Sequence, residues 1–202
     1  MRALVEVVKV GGSLFDLPDL GERLRRWLNQ RDPARRVLVA GGGPYVDALR
    51  NLADVHHLDP VATHWLAIDL MSATAALMHT LLPEAPLVRN VSELNQHSAA
   101  AFDAANWLRE QEPNAPGHKL APGWQTTSDA IAGRLAAVLQ ADRLVLLKSA
   151  APNPSDRYDL AALAHEGVVD SELPRVLPPT VAAQWVGLRS GAFPTLTVSP
   201  AR

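Results

Sequence analysis

An α/β fold, with a largely parallel sheet covered by helices on both faces, is the class this sequence predicts. Two observations carry it. Short apolar, β-branched runs alternate along the chain with stretches whose apolar residues recur at helical spacing. Two of those runs lead into glycine turns and then into helical stretches, the order of a strand–turn–helix unit.

The first strand is expected over 3–10, around Leu4-Val5-Glu6-Val7-Val8. Leu17, Leu20, Leu24, Trp27 and Leu28 then follow helical spacing, with Asp19 as a candidate N-cap. Asp32-Pro33 ends that helix, because the proline ring cannot continue it. The second strand, 35–40, is an apolar run of the kind found in buried parallel strands. Pro44 suits the first turn of the next helix, where its missing N–H costs nothing, and Val46, Leu49 and Leu52 are expected to face inward. A long helix follows over 61–82, with Trp65, Ile68, Met71, Ala75 and Met78 on one face. Strand-like residues come at 86–89, while 91–123, rich in Ala, Asn and Pro, shows no clear pattern. Thr127-Ser128-Asp129 opens a helix whose stripe is Ile131, Leu135, Val138 and Leu139. A strand at 143–148, a polar loop at 150–157 and strands near 182–188 and 195–199 complete the chain.

Composition narrows the function classes. The 202 residues, 48% of them hydrophobic, suffice for a sizeable core in one domain. A formal charge of −2 gives no electrostatic reason to expect nucleic acid or an anionic membrane as partner. The absence of cysteine excludes disulfides, thiolate metal sites and cysteine nucleophiles. Glu6 and Lys9 interrupt the first apolar stretch, so it does not read as a signal peptide. No stretch has the roughly 18 uncharged apolar residues of a membrane span. A soluble, cytoplasmic protein is the expectation.

The chemistry concentrates at strand ends. Lys9-Val10-Gly11-Gly12-Ser13 closes the first strand with an ammonium and a turn able to present backbone N–H groups to a phosphate. An ordinary strand-to-helix turn with a solvated lysine is the alternative. Gly41-Gly42-Gly43-Pro44-Tyr45 repeats the pattern after the second strand. Three glycines weaken a backbone, which favours a ligand role over a plain connection. Thr126-Thr127-Ser128-Asp129 is by itself ordinary helix capping. In a functional version Asp129 holds a nearby lysine while Thr127 or Ser128 touches a ligand. Lys148 ends the 143–148 strand before Ser149. If that strand neighbours the first, Lys9 and Lys148 meet at one crevice, the usual ligand position in open α/β sheets. His64 and Trp65 on the long helix either line a pocket or pack the helix. The seven histidines show no ligand spacing, so no metal site is expected. Neither a Walker sequence nor Gly-x-Ser-x-Gly is present.

The ordered set Lys9-Val10-Gly11-Gly12-Ser13-Leu14, Gly41-Gly42-Gly43-Pro44 and Thr127-Ser128-Asp129 resembles the amino acid kinase superfamily, which includes acetylglutamate, aspartate, uridylate and isopentenyl phosphate kinases. His64-Trp65-Leu66-Ala67-Ile68, the run from Gly123 to Asp129, and Gly167-Val168-Val169-Asp170-Ser171-Glu172-Leu173-Pro174 resemble the branch of aminomethylfuran-methyl phosphate kinases. That branch serves methanofuran and tetrahydromethanopterin one-carbon metabolism.

The resemblance implies a three-layer αβα sandwich of the carbamate kinase-like type. It also implies an acceptor-binding lobe over about 1–125 and a shortened nucleotide lobe over about 126–202. It implies ATP and Mg as cofactors, a small anionic substrate and a homodimer. Lys9, Asp129 and Lys148 would be catalytic, and Lys9, Gly11, Gly12, Ser13 and Ser149 would hold nucleotide phosphate. Gly41, Gly42, Gly43, Tyr45, His64, Thr127 and Ser128 would bind the acceptor.

Two departures stand out. Where the family carries Thr-Asp-Val-Asp-Gly, this chain has Lys148-Ser149-Ala150-Ala151-Pro152. Where the branch has a strand followed by Asn-Gly, it has Gly187-Leu188-Arg189-Ser190-Gly191. Two functions are therefore carried forward. One is an ATP-dependent kinase acting on a phosphate monoester or carboxylate in one-carbon cofactor biosynthesis. The other is a kinase-fold protein that binds an anionic ligand or pathway partner without ATP turnover.

Overall fold

Parallel strands buried on both faces read as continuous apolar runs, and such runs form the centre of the sheet. The protein is described by a computed structural model covering residues 3–153 and 158–199. Among these residues one seven-stranded sheet contains β1 (Val5–Val10), β2 (Arg35–Ala40), β3 (Leu87–Val88), β4 (Ala99–Phe102), β5 (Arg143–Lys148), β6 (Ala182–Gly187) and β7 (Thr195–Val198). Their spatial order is β3-β4-β2-β1-β5-β6-β7, and every pairing is parallel except that of β6 with β7. The helices are α1 (Leu20–Asn29), α2 (Gly43–His56), α3 (Pro60–Leu81), α4 (Ala105–Glu110), α5 (Ser128–Val138), α6 (Leu160–His165) and α7 (Leu173–Val176).

Side chains alternate across a strand, and the sheet accordingly divides two cores. Val5, Val7, Val37, Val39, Leu144 and Leu146 pack with Ile131, Leu135 and Leu173 on one face. Val8, Val10, Leu38, Val145 and Leu147 pack with Leu14, Leu20, Leu24 and Trp27 on the other. The three layers of an αβα sandwich result. Lys9 shares the parity of Val7, and Lys148 that of Leu146, so both lysines fall on the face that α5 covers.

Contrary to the expectation that no stretch would be long and apolar enough, α3 matches a membrane-crossing helix by length and composition, with 22 residues and a mean hydropathy of 1.3 over an 18-residue window. Here it serves both cores instead, with Ile68 in one and Ala75 and Met78 in the other.

Several expectations need correction. Leu52 is 53% exposed rather than inward. The cause is that α2 lies on α3 and on the Gly12–Asp16 turn, and fully buries only Ala53. Asp19 precedes α1 but its carboxylate pairs with Arg23 at 2.7 Å and accepts no capping N–H. Thr127 stands at the cap position of α5, yet its side chain also caps nothing. The unreadable 91–123 stretch contains β4, whose sequence Ala-Ala-Ala-Phe has little strand preference. Pairing with β2 and β3 on its two sides makes it a strand. Of the expected 150–157 loop, 154–157 lie outside the described residues.

Candidate active site

The glycines after β1 and β2 let two loops touch. The two strands run in register, Val10 beside Ala40, so their loops leave the sheet at one level. Gly11 N–H donates to the Leu147 carbonyl and Gly41 N–H to the Val10 carbonyl, each at 2.8 Å. A Cβ on Gly12 would lie 2.3 Å from the Gly43 nitrogen, and one on Gly41 would lie 2.7 Å from the Gly12 nitrogen. Gly43 has φ +57°, a left-handed conformation that glycine adopts without strain. Side chains at these positions would force the loops apart.

Beside the loops, one carboxylate holds two lysines. Lys9 Nζ lies 3.0 Å from Asp129 Oδ1, and Lys148 Nζ lies 2.6 Å from Asp129 Oδ2. Lys148 also donates to the Val168 carbonyl at 2.7 Å. Burial works to raise the Asp129 carboxyl, but Lys9 and Lys148 together outweigh it and hold the group below the usual carboxylate range. Burial is the main influence lowering the Lys148 ammonium, with Asp129 opposing and Lys9 reinforcing. Two ammoniums face Asp129 at the strand ends, and the Asp170 carboxyl also acts to raise the Lys148 ammonium.

Asp129 sits in the first turn of α5, where the helix dipole favours an anion. The cap of that helix comes from a distant residue. Asp170 Oδ2 accepts from the Ala130 N–H at 2.8 Å, from the Thr127 hydroxyl at 2.7 Å and from the Thr127 N–H at 3.1 Å. Its Oδ1 accepts from the Leu173 N–H at 2.9 Å, at the start of α7. Burial raises the Asp170 carboxyl, Asp129 adds to this, and the donated hydrogen bonds oppose it.

A cavity of about 270 Å³ opens in front of the loops. Gly12, Ser13, Gly42, Gly43, Thr127 and Ser128 line it together with the apolar side chains of Ala67, Ile68, Met71 and Ile131. Asp47, Arg50, His64, Thr126 and Trp124 complete the wall. The Arg50 guanidinium stacks 4.8 Å above the Trp124 ring. His64 is buried and its Nδ1 lies 3.2 Å from the Gly123 carbonyl, so the proton sits on Nδ1 and donates. Burial lowers its pKa most, the Gly123 bond opposes this, and Arg109 lowers it further.

Of the residues singled out in the sequence, Gly12, Ser13, Gly42, Gly43, His64, Thr127 and Ser128 line this cavity. Gly11 backs onto Leu147, and Gly41 is buried behind Gly12. Lys9, Lys148 and Asp129 form the ion-paired centre beside it. Ser149 Oγ meets Ser13 Oγ at 2.9 Å. Tyr45 is 52% exposed and does not line the cavity. Asp47, Arg50, Trp124 and Asp170 were not singled out as site residues. Trp124 and Asp170 do lie inside the motifs 123–129 and 167–174, whereas nothing local marks Asp47 or Arg50.

The family model described as the amino acid kinase family matches residues 5–151. No curated protein matches the chain at a significant level. Solved structures do. UMP kinase from Ureaplasma parvum superposes with a TM-score of 0.67 at 11% identity, over 98% of this chain and 97% of that one. Uridylate kinase from Archaeoglobus fulgidus gives 0.57 at 16% identity, over 89% of each chain. Aspartate kinase from Synechocystis gives 0.62 at 16% identity, over 98% of this chain but 40% of its own length. At such identities these likenesses speak for the fold.

Proposed function

The chain belongs to the amino acid kinase family, and from that membership we propose that it is an ATP-dependent kinase phosphorylating a phosphate monoester or carboxylate. The observation carrying this reading is the Lys9–Asp129–Lys148 cluster beside two touching glycine loops and the cavity they line.

The residues present fit a nucleotide's phosphates. Two ammoniums, glycines that admit close backbone approach, and the hydroxyls of Ser13 and Ser149 all stand at the ends of β1 and β5. Among the described residues no group of three or more His, Cys, Asp or Glu is placed to hold a metal, so Mg would arrive on the nucleotide. When bound, Mg-ATP supplies the γ-phosphoryl group and part of the charge neutralisation. Lys9 and Lys148 place positive charge where the transferring group and its leaving oxygen carry negative charge. Asp129 keeps both ammoniums beside the strand ends, hydrogen-bonding Lys148 and pairing with Lys9 by charge, so little of the positive charge has to travel at the moment of transfer. Gly43 and Ser128 meet the reacting end of the acceptor, and the apolar lining from Ala67, Ile68, Met71 and Ile131 limits water there.

The acceptor is proposed to be compact and partly flat, matching a cavity with apolar lining residues and the Arg50–Trp124 stack among them. Aminomethylfuran phosphate is the first candidate, on the resemblance of 64–68, 123–129 and 167–174 to the branch that uses it. Cytoplasmic location, a role in one-carbon cofactor biosynthesis and a lobe boundary near 125 belong to the same reading. So does a homodimer, for which Leu52, Val55, Leu58, Val61 and Leu66 offer exposed apolar surface. Light scattering showing a monomer would remove that part.

The test is direct. Purified protein with ATP, Mg and aminomethylfuran phosphate should yield ADP and the pyrophosphate ester, followed by phosphorus NMR. A second reading, ligand binding without ATP turnover, is favoured by one observation. The segment standing where the family has Thr-Asp-Val-Asp-Gly is pinned to β6, through Trp185 Nε1 donating to the Ala150 carbonyl at 3.0 Å. Calorimetry showing acceptor binding but no ATP binding would select it.

A further inference from the structure

Arg189 sits in the departure at 187–191, directly after β6, and the proposed mechanism above leaves it unused. Its Nη2 lies 2.6 Å from Asp16 Oδ1, 2.9 Å from the Ser13 carbonyl and 3.4 Å from Ser149 Oγ. Ser13 and Ser149 touch each other at 2.9 Å. One guanidinium and two hydroxyls therefore gather where the neighbouring strands β1, β5 and β6 end. All three contacts use Nη2, and among the described residues Nε and Nη1 make no hydrogen bond.

We propose that Arg189 is a phosphate-binding residue for the nucleotide, held in waiting by Asp16 and released onto the polyphosphate chain when it binds. The inference rests on the kinase reading. Charge is the first reason. Lys9 and Lys148 share Asp129, and Asp170 also acts on Lys148, so the ion-paired centre offers little net positive charge to a multiply charged polyphosphate. Chemistry is the second. A guanidinium presents a planar fork of donors that matches phosphate oxygens, and two of its nitrogens are uncommitted. Accessibility is the third. The Asp16 and Arg189 side chains are 59% and 40% exposed, so the pair holding Arg189 is solvated and weak. The backbone does not depend on that side chain, because Arg23 Nη1 donates to the Arg189 carbonyl at 2.8 Å.

Calorimetric titration of the full chain with Mg-ATP, inorganic tripolyphosphate and AMP tests this. Arg189→Ala should weaken Mg-ATP and tripolyphosphate about ten- to a hundredfold and AMP far less, with an unchanged melting temperature. Arg189→Lys should recover part of the loss. Asp16→Asn removes the competing carboxylate and should tighten Mg-ATP or leave it unchanged. Wild-type binding of Mg-ATP with no change in Arg189→Ala overturns the proposal and leaves the kinase reading standing. Equal weakening by Asp16→Asn and Arg189→Ala also overturns it, because the pair would then be structural. Wild-type protein that binds neither ATP nor tripolyphosphate overturns both.

Discussion

Glu6 and Asp129 are both buried carboxylates held by cations from neighbouring strands, near opposite ends of β1. Glu6 lies in register between Arg36 of β2 and Arg143 of β5. Arg36 Nε reaches it at 2.9 Å, Arg143 Nη1 at 2.7 Å and Arg31 Nη2 at 2.8 Å. Burial works to raise its carboxyl, and Arg31 and Arg36 outweigh that. Asp129 instead holds lysines, with glycine loops and a cavity beside them. Guanidinium forks make several fixed bonds each and suit a clamp. Ammoniums are compact charges that can re-aim their three donors at an incoming anion. The same motif of a caged carboxylate thus fastens the sheet at one end and stores charge at the other.

The comparison breaks most visibly if Lys9→Ala and Glu6→Gln behave alike. Lys9→Ala is expected to cut turnover by at least about 10²–10³-fold with the circular dichroism spectrum retained, and to cost less stability than Glu6→Gln because Lys148 still pairs Asp129. Glu6→Gln is expected to do the reverse. It leaves the buried Arg36 and the half-buried Arg31 and Arg143 without their buried carboxylate and should cost about 3–5 kcal/mol in denaturant unfolding, with turnover per folded molecule retained. Loss of turnover in folded Glu6→Gln protein would mean that the two ends are coupled.

Smaller effects sharpen the contrast. Trp124→Ala removes the surface under Arg50 and should raise the acceptor KM about tenfold, leaving the ATP KM unchanged. A shift in the ATP KM would move Trp124 out of the acceptor site. His64 gives the mildest signal. Its folded pKa lies below the ordinary 6.5, chiefly through burial. The unfolded chain therefore takes up the proton first, so this contribution to stability is present above about pH 6.5 and is lost as pH falls toward the folded value. His64→Gln should flatten melting temperature against pH between about pH 8 and 5, and an unchanged slope would refute the assignment.

The central strands were legible because a strand buried on both faces is apolar throughout, as Val37–Ala40 is. The long α3 and the stripe of α5 were legible from their spacing. β4 was not, since Ala99–Phe102 becomes a strand only through its neighbours. Leu52 was placed inward because periodicity marks a stripe and says nothing about what covers it. The meeting of Lys9 and Lys148 was legible once their strands were taken as adjacent, because parallel neighbours end at one level. Arg50 and Arg189 depend on where other elements lie, and nothing in their own sequence windows reports that.

The segment from Val168 to Asp170 touches both sides of the ion-paired centre. The carbonyl of Val168 holds Lys148, and two residues later the carboxylate of Asp170 holds the start of α5, which carries Asp129. Both partners of the ion pair are thus moored to one short stretch of chain. A ruler of fixed length sets their separation, so Val169 is open to exchange for a side chain of similar bulk while a gained or lost residue there would pull the moorings out of step.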